Sequence, residues 1–380
     1  MDKVYLDSLE LHKKHRGKIE IANKVLIKNK ADLSLAYTPG VGAVSAEIGR
    51  DKNLAYEYTI KKNTVAVVSD GSAILGLGNL GPEAAIPVME GKAALFKEFA
   101  NIDAFPICLD TQDAEEIIKA VKYIAPVFGG INLEDISAPR CFEIEERLKT
   151  ELDIPVMHDD QHGTATVVLA ALINALKVKA VSKENVKIVM NGAGAAGIAV
   201  SKLLLKYGFK NLILCDSKGP IYEGRADLNE SKKEMAKITN LGRVSGNLGA
   251  VLSGADVFVG VSKAGALSGE MIKKMNKEPV IFALANPVPE IMPDLAKEAG
   301  AAIVATGRSD FPNQLNNVLA FPGIFRGALD NGIKQITDEM LIAAAENLAA
   351  CVAEPKTDMI LPNIFDKNVT LAVAKAITSF

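Results

Sequence analysis

The segment NGAGAAG at 191–197 constrains this chain more than any other. Gly192, Gly194 and Gly197 follow the apolar run VKIVM and open the apolar stretch AAGIAVSKLLL, and the next apolar run, NLILC, ends on Asp216. Strand, glycine turn, helix, strand and acid in that order predict a dinucleotide-binding βαβ unit. The glycines allow a tight turn, close approach of a pyrophosphate and close helix packing, and the helix N-terminus, entered through Ala195 and Ala196, attracts phosphate charge. An acid at the end of the second strand suits the adenosine ribose. Asp216 favours the free 2′-hydroxyl of NAD, while Ser217 and Lys218 beside it could meet the 2′-phosphate of NADP, so both coenzymes stay open.

The same alternation runs through most of the chain. In the first half, TVAVVSD (64–70), DAFPICLD (103–110), PVFGGINLED (126–135) and IPVMHDD (154–160) are separated by helix-length stretches, the pattern of a largely parallel sheet. In the second half ADVFVG (255–260), PVIFALAN (279–286) and AIVATG (302–307) extend the glycine-bearing unit. The expected fold is therefore α/β with two α/β domains: 1–162, and a Rossmann-type domain over 163–380 that begins with the helix TATVVLAALINALKV and ends in helices from about 335 that pack on the sheets. Before residue 64 the pattern predicts helices around KIEIANKVLI and a turn at Pro39-Gly40, with no strand run.

With 380 residues, 49 % of them hydrophobic, the chain can bury two cores. A formal charge of −3, with Lys and Arg dispersed, argues against nucleic-acid and membrane partners and leaves a small metabolite. The first residues lack an apolar leader core and no stretch has 18 uncharged apolar residues, so the cytoplasm is the expected compartment. Cys108, Cys141, Cys215 and Cys351 are far apart and read as reduced, structural thiols.

Every apolar run of the first half closes on acid: Asp70, Asp110, Glu134 with Asp135, and Asp159 with Asp160. Ligands of open α/β sheets bind outside the carboxyl ends of the strands, so several of these acids could converge there. Two adjacent carboxylate pairs need a counter-charge, and a hard divalent cation, Mg²⁺ or Mn²⁺, would supply it. Acids at such positions also serve as helix caps, and spacing alone does not choose. Lys92, in the mostly apolar PVMEGKAALFKEF, is either a buried base or a lysine reaching out to water. Tyr37 in LAYTPGVG is either a proton donor on a rigid turn or a packing residue. His158 and His162 flank the second acid pair and read as orienting residues rather than ligands, because a hard cation prefers oxygen.

Together these segments resemble the malic enzyme family, in its short prokaryotic form. The resemblance spans nearly the whole chain through AYTPGVG, VVSDGSAILGLGNLGPEAAIPVMEGKAALFK, INLEDISAPRCFEIE, MHDDQHGTATV, NGAGAAG, ANPVPEI and RSDFPNQLNNVLAFPGIFRGAL. It implies oxidative decarboxylation of (S)-malate to pyruvate and CO₂ with NAD or NADP, with oxaloacetate decarboxylation as a side activity. Carried onto matching positions it makes Tyr37 the general acid, Lys92 the general base with Asp159 as partner, and Glu134, Asp135 and Asp160 the metal ligands. Asn286, Asn316 and Asn317 match the substrate and coenzyme asparagines, which could otherwise be turn or cap residues. One departure stands out: longer members carry an Arg in the DGxxILGLG segment that grips a substrate carboxylate, where this chain has Ser72 and Ala73. Two other classes compete: an amino-acid or folate-type dehydrogenase, which needs no clustered acids, and a dinucleotide-sensing regulator without turnover. The resemblance also implies a homodimer with shared sites, and the strandless N-terminal arm agrees, since short helices depend on tertiary packing.

Overall fold

The structure, a computed structural model, describes residues 3–379. Four strands, β1 (Thr64–Ser69), β2 (Asp103–Cys108), β3 (Gly130–Leu133) and β4 (Val156–His158), form an all-parallel sheet in the order β2-β1-β3-β4. All residues of β1, β3 and β4 are buried, as expected of parallel strands covered on both faces. A second sheet holds β5 (Lys187–Asn191), β6 (Asn211–Asp216), β7 (Gly219–Pro220), β8 (Val257–Gly260), β9 (Val280–Ala283) and β10 (Ile303–Thr306) in the order β10-β9-β8-β5-β6-β7. Only β7 runs antiparallel to its neighbour. The chain leaves β5 toward β6 on one side and later returns to β8 on the other. That reversal makes the switch point at which Rossmann-type sheets open a crevice.

One helix, Asp159–Lys179, leads from the first sheet to the second and runs straight through position 163. Fourteen of its 21 residues are buried, as expected of a helix apolar all round. It packs against the helix Ala195–Tyr207 and the helix Asp338–Ala350. Asn174 within it donates to the carbonyls of Ala349 and Ile360, at 2.8 and 2.9 Å. One continuous apolar core joins Val65 and Val67 of the first sheet to Ile188 and Met190 of the second, which holds the site between them in place.

Several local expectations differ from the structure. KIEIANKVLI is not helical: the helices of the arm are Lys3–His15, Lys30–Ala36 and Val41–Arg50, and they bury no residue within the chain. The run at 126–135 contains only the short β3, because Ala125–Val127 forms a 3₁₀ turn. Asp159 and Asp160 do not end a strand but occupy the first turn of the long helix, where negative charge meets the helix dipole. The tail helices Asp338–Ala350 and Lys367–Lys375 rest mainly on other helices rather than on a sheet face.

Candidate active site

The carboxyl ends of β1, β3 and β4 and those of β8 and β9 face one cleft of about 580 Å³. Lys92, Glu134, Asp135, Asp160, Ala196, Asn286, Asn316 and Asn317 all line it. A second cleft of about 840 Å³ runs along Gly192, Gly194, Asp216, Ser217 and Lys218, and the two clefts share Ser262. The dinucleotide fingerprint is thus assembled next to the acids. Gly192 adopts φ +125°, which an L side chain rarely reaches, and a Cβ on Gly197 would overlap the Gly192 carbonyl. Gly192 and Gly197 are therefore geometric requirements of the turn, whereas a Cβ on Gly194 would meet no protein atom within 4 Å.

Lys92 projects from the helix Pro82–Ala100 and is 6 % exposed. Its Nζ lies 2.5 Å from Asp159 Oδ2, 2.9 Å from Glu134 Oε1 and 4.2 Å from the centroid of the Phe321 ring. Phe96, one helical turn further on, packs edge-on against Phe321, centroids 4.7 Å apart, and fixes that helix face. Burial pulls the Lys92 pKa down, but Asp159 and Glu134 outweigh it and raise it above the usual lysine value. The reading of Lys92 as a lysine that reaches water is excluded.

One oxygen from each of Glu134, Asp135 and Asp160 lies within 4.8 Å of the others. Glu134 receives Asn132 Nδ2 at 2.9 Å, and Asp160 Oδ2 receives the Asp135 backbone N–H at 2.8 Å. Burial first, and Asp160 second, push Asp135 up to about 7, and burial with the surrounding carboxylates raises Glu134 against the pull of Lys92. Asp135 also holds a left-handed φ of 53°, an uncommon conformation for a side-chain-bearing residue that concentrates at functional sites. Its Oδ2 is buried without a hydrogen-bond partner. An all-oxygen cluster, short of protons or cations, with an orphaned oxygen in it, fits a hard divalent cation.

The other acids do not join. Asp70 is buried, bound by Arg140 at 2.8 Å and by the Ser72 hydroxyl at 2.5 Å, and Asp110 is exposed. Asp159 is fully buried behind Lys92, and Asn317 Nδ2 donates to it at 2.5 Å. A Cβ on Gly163 would strike Asp159 Oδ1, so that glycine gives the ion pair its room. Asn316 caps a 3₁₀ turn through Val318 N–H while still lining the cleft. Asp216 is shared: Arg225 and Lys232 donate to its Oδ2 at 2.7 and 2.8 Å. Tyr37 is 65 % exposed and lines neither cleft. The sequence reading missed Glu290, which is fully buried and receives Ser262 N–H at 2.8 Å and Ala285 N–H at 3.0 Å, tying together the loops after β8 and β9. Its only sequence signal is an acid closing ANPVPE, right after a turn.

A Rossmann-type sheet whose dinucleotide cleft opens onto a buried lysine and a carboxylate cluster defines a dinucleotide-dependent oxidoreductase with room for a small acid. Residues 16–149 match the model of the malic enzyme N-terminal domain, and 161–380 match that of the malic enzyme NAD binding domain. The chain is 59 % identical to the bifunctional malic/malolactic enzyme of Bacillus subtilis, covering 98 % of this chain and 91 % of that one. It is 57 % identical to the NAD-dependent malic enzyme of Geobacillus stearothermophilus, over 95 % of this chain and 76 % of the relative. The crystal structure of an NAD-dependent malic enzyme from Thermotoga maritima superposes with a TM-score of 0.95 at 55 % identity, covering 98 % of this chain and 99 % of that one. The chain belongs to the malic enzyme family, NAD- or NADP-dependent oxidoreductases that decarboxylate malate.

Proposed function

We propose that this chain converts (S)-malate to pyruvate and CO₂ in a cytoplasmic, divalent-metal-dependent reaction, with Lys92 as base, Tyr37 as acid and Glu134, Asp135 and Asp160 as the ligands of Mg²⁺ or Mn²⁺. The single observation that carries this reading is Glu134, which faces Lys92 and the other two carboxylates at once. A cation on the three acids would supply Lewis acidity to the C2 oxygen of malate, and NAD or NADP along Gly192, Gly194, Ala195 and Asp216 would supply the hydride acceptor. The proton work belongs to the chain. Lys92 keeps its proton while two carboxylates face it. Once Glu134 is drawn to a positive charge, Asp159 alone remains, so the ammonium can release its proton to solvent, and the neutral amine then takes the C2 hydroxyl proton as hydride leaves C2 for the coenzyme. Oxaloacetate then loses CO₂ from C4, and protonation of C3 completes pyruvate. The same site is expected to decarboxylate added oxaloacetate.

Among the described residues lining the cleft, Lys92 is the one cation. Ser72, at the place of the long members' Arg, is occupied by Asp70 and by the Ser137 N–H, so Asn286, Asn316 and main-chain amides are left for the distal carboxylate of malate. Nicotinamide absorbance followed with malate, Mn²⁺ and each coenzyme tests the whole reading. Turnover that survives a chelator would overturn the metal dependence, and no malate-dependent signal with either coenzyme would overturn the activity. The four cysteines are free, as a reducing compartment keeps them.

The acid comes from a second copy in this reading. Leu6, Leu9, Leu33, Leu35 and Tyr37 of the arm are exposed, and the arm bends past the cleft where Lys18 Nζ donates to the Pro87 carbonyl at 2.6 Å. A two-fold homodimer would bury that surface twice and bring Tyr37 to the partner's Lys92. Mixing Tyr37→Phe with Lys92→Ala subunits then restores activity, because a mixed dimer has one site with both residues intact. A mixture that stays inactive after subunit exchange overturns the shared site.

A further inference from the structure

Glu290 lies on the loop that follows β9 and is fully buried, yet it lines neither cleft. Its two oxygens are divided between two loops. Oε1 accepts the Ser262 N–H at 2.8 Å and the Ser262 hydroxyl at 3.3 Å, and Oε2 accepts the Ala285 N–H at 3.0 Å. Its own carbonyl accepts the Leu267 N–H at 3.1 Å, further along the loop after β8. The end of β8 leaves room for this carboxylate, since a Cβ on Gly260 would lie 2.5 Å from Glu290 Cδ. The Ser262 hydroxyl in turn accepts from Asn191 Nδ2 at 2.9 Å, and Asn191 ends β5 directly before the Gly192 turn. One buried acid thus bonds the loops after β8 and β9 directly and reaches the phosphate turn through a single hydroxyl.

Ser262 is where the two clefts meet, and Ala285 and Asn286 line the cleft that holds the acids. A dinucleotide whose pyrophosphate sits at Gly192 brings its nicotinamide to the acids only across this junction. We propose that Glu290 is a positioning residue for the coenzyme: it sets the spacing of the Ser262 and Ala285–Asn286 loops and so aims the nicotinamide end into the substrate cleft. The adenosine end, along Asp216, Ser217 and Lys218, lies beyond the loops that Glu290 holds. This assignment rests on the malate reading above, and the outcomes below separate the two.

Glu290→Gln keeps the volume but has one acceptor oxygen, so its NH₂ must face either the Ser262 or the Ala285 N–H, donor against donor, and one loop is released. Malate turnover in the full chain is then expected to fall about 100-fold, the scale of a misplacement of about 1 Å between reacting groups. Calorimetric titration supplies a readout independent of turnover. The reduced coenzyme that wild type prefers loses affinity for the variant, while the same molecule without its nicotinamide, ADP-ribose or its 2′-phosphate, binds as it does to wild type. Equal weakening of both ligands, or wild-type turnover in the folded variant, makes Glu290 a structural tie and overturns the proposal. If Glu290→Gln fails to fold, Glu290→Asp, with both acceptors but one methylene short of the loops, carries the same expectation. Failure of both variants to fold also overturns it. A wild type that oxidises no malate with either coenzyme overturns the malate reading and this assignment together.

Discussion

Lys92→Ala is expected to lower malate turnover by about 10²–10⁴-fold, the usual contribution of a positioned general base, while coenzyme affinity stays near wild type. Lys92 lies in the first sheet's helical layer and lines the 580 Å³ cleft but not the one along Gly192 and Asp216. The same substitution strips Asp159 and Glu134 of their counter-charge in a buried setting. Breaking a buried pair in this way costs about 3–5 kcal/mol, so a loss of activity in the alanine variant alone could reflect a damaged fold. Lys92→Arg separates the two effects. A guanidinium keeps the charge between the carboxylates but does not give up its proton, so that variant is expected to stay folded and inactive. Steady-state turnover together with urea unfolding of both variants checks this. Wild-type turnover in Lys92→Arg would make Lys92 a structural ion-pair residue and remove it from the chemistry.

Asp135→Asn is expected to cut Mn²⁺ affinity by about 100-fold or more, beyond the range for residues that only orient a ligand, since it removes a charge and an oxygen from the cluster itself. The second expected consequence is a gain in stability of the metal-free protein. Folding raises the Asp135 pKa from its ordinary 3.8 to about 7, through burial and then the Asp160 charge. Between these values the folded state holds a proton that the unfolded state has lost, so this group lowers stability as pH rises through the window. The cost is fully present above about pH 7 and absent below about pH 4. In chelator at pH 8 the asparagine variant, which carries no such charge, should therefore melt higher than wild type, and added Mn²⁺ should reverse the order. A variant that melts lower than wild type in chelator at pH 8 would show that Asp135 is held by favourable contacts instead. Unchanged Mn²⁺ affinity would remove it from the ligand set.

The strand, glycine turn, helix and second strand of the dinucleotide unit are legible in the sequence because their signals are local. Gly192 and Gly197 are set by backbone geometry within one turn, and Asp216 ends the neighbouring strand. The acids were legible as a set but not in their assignment. Asp70, Asp110, Asp135 and Asp159 look alike as residues that follow apolar runs. Only packing sends Asp70 to Arg140, leaves Asp110 in solvent and puts Asp159 behind Lys92. The arm was misread because KIEIANKVLI has apolar spacing without caps, and in the chain it forms neither helix nor strand, with Lys18 at its start bonded to Glu90 and Pro87 of the helix Pro82–Ala100.

What this sequence determined by itself is the alternation of strands and helices from residue 64 onward, the phosphate-binding turn and the inventory of chemistry, since periodicity, glycine placement and residue type act over a few positions. The tertiary structure alone decided which groups meet. Lys92 and Asp159 are 67 positions apart and touch at 2.5 Å, and Asn317 reaches the same carboxylate across 158 positions. The charge state of such a cluster also belongs to the fold. Desolvation and the distances between carboxylates set it, and neither quantity exists until β3, β4 and the helix Pro82–Ala100 have packed together.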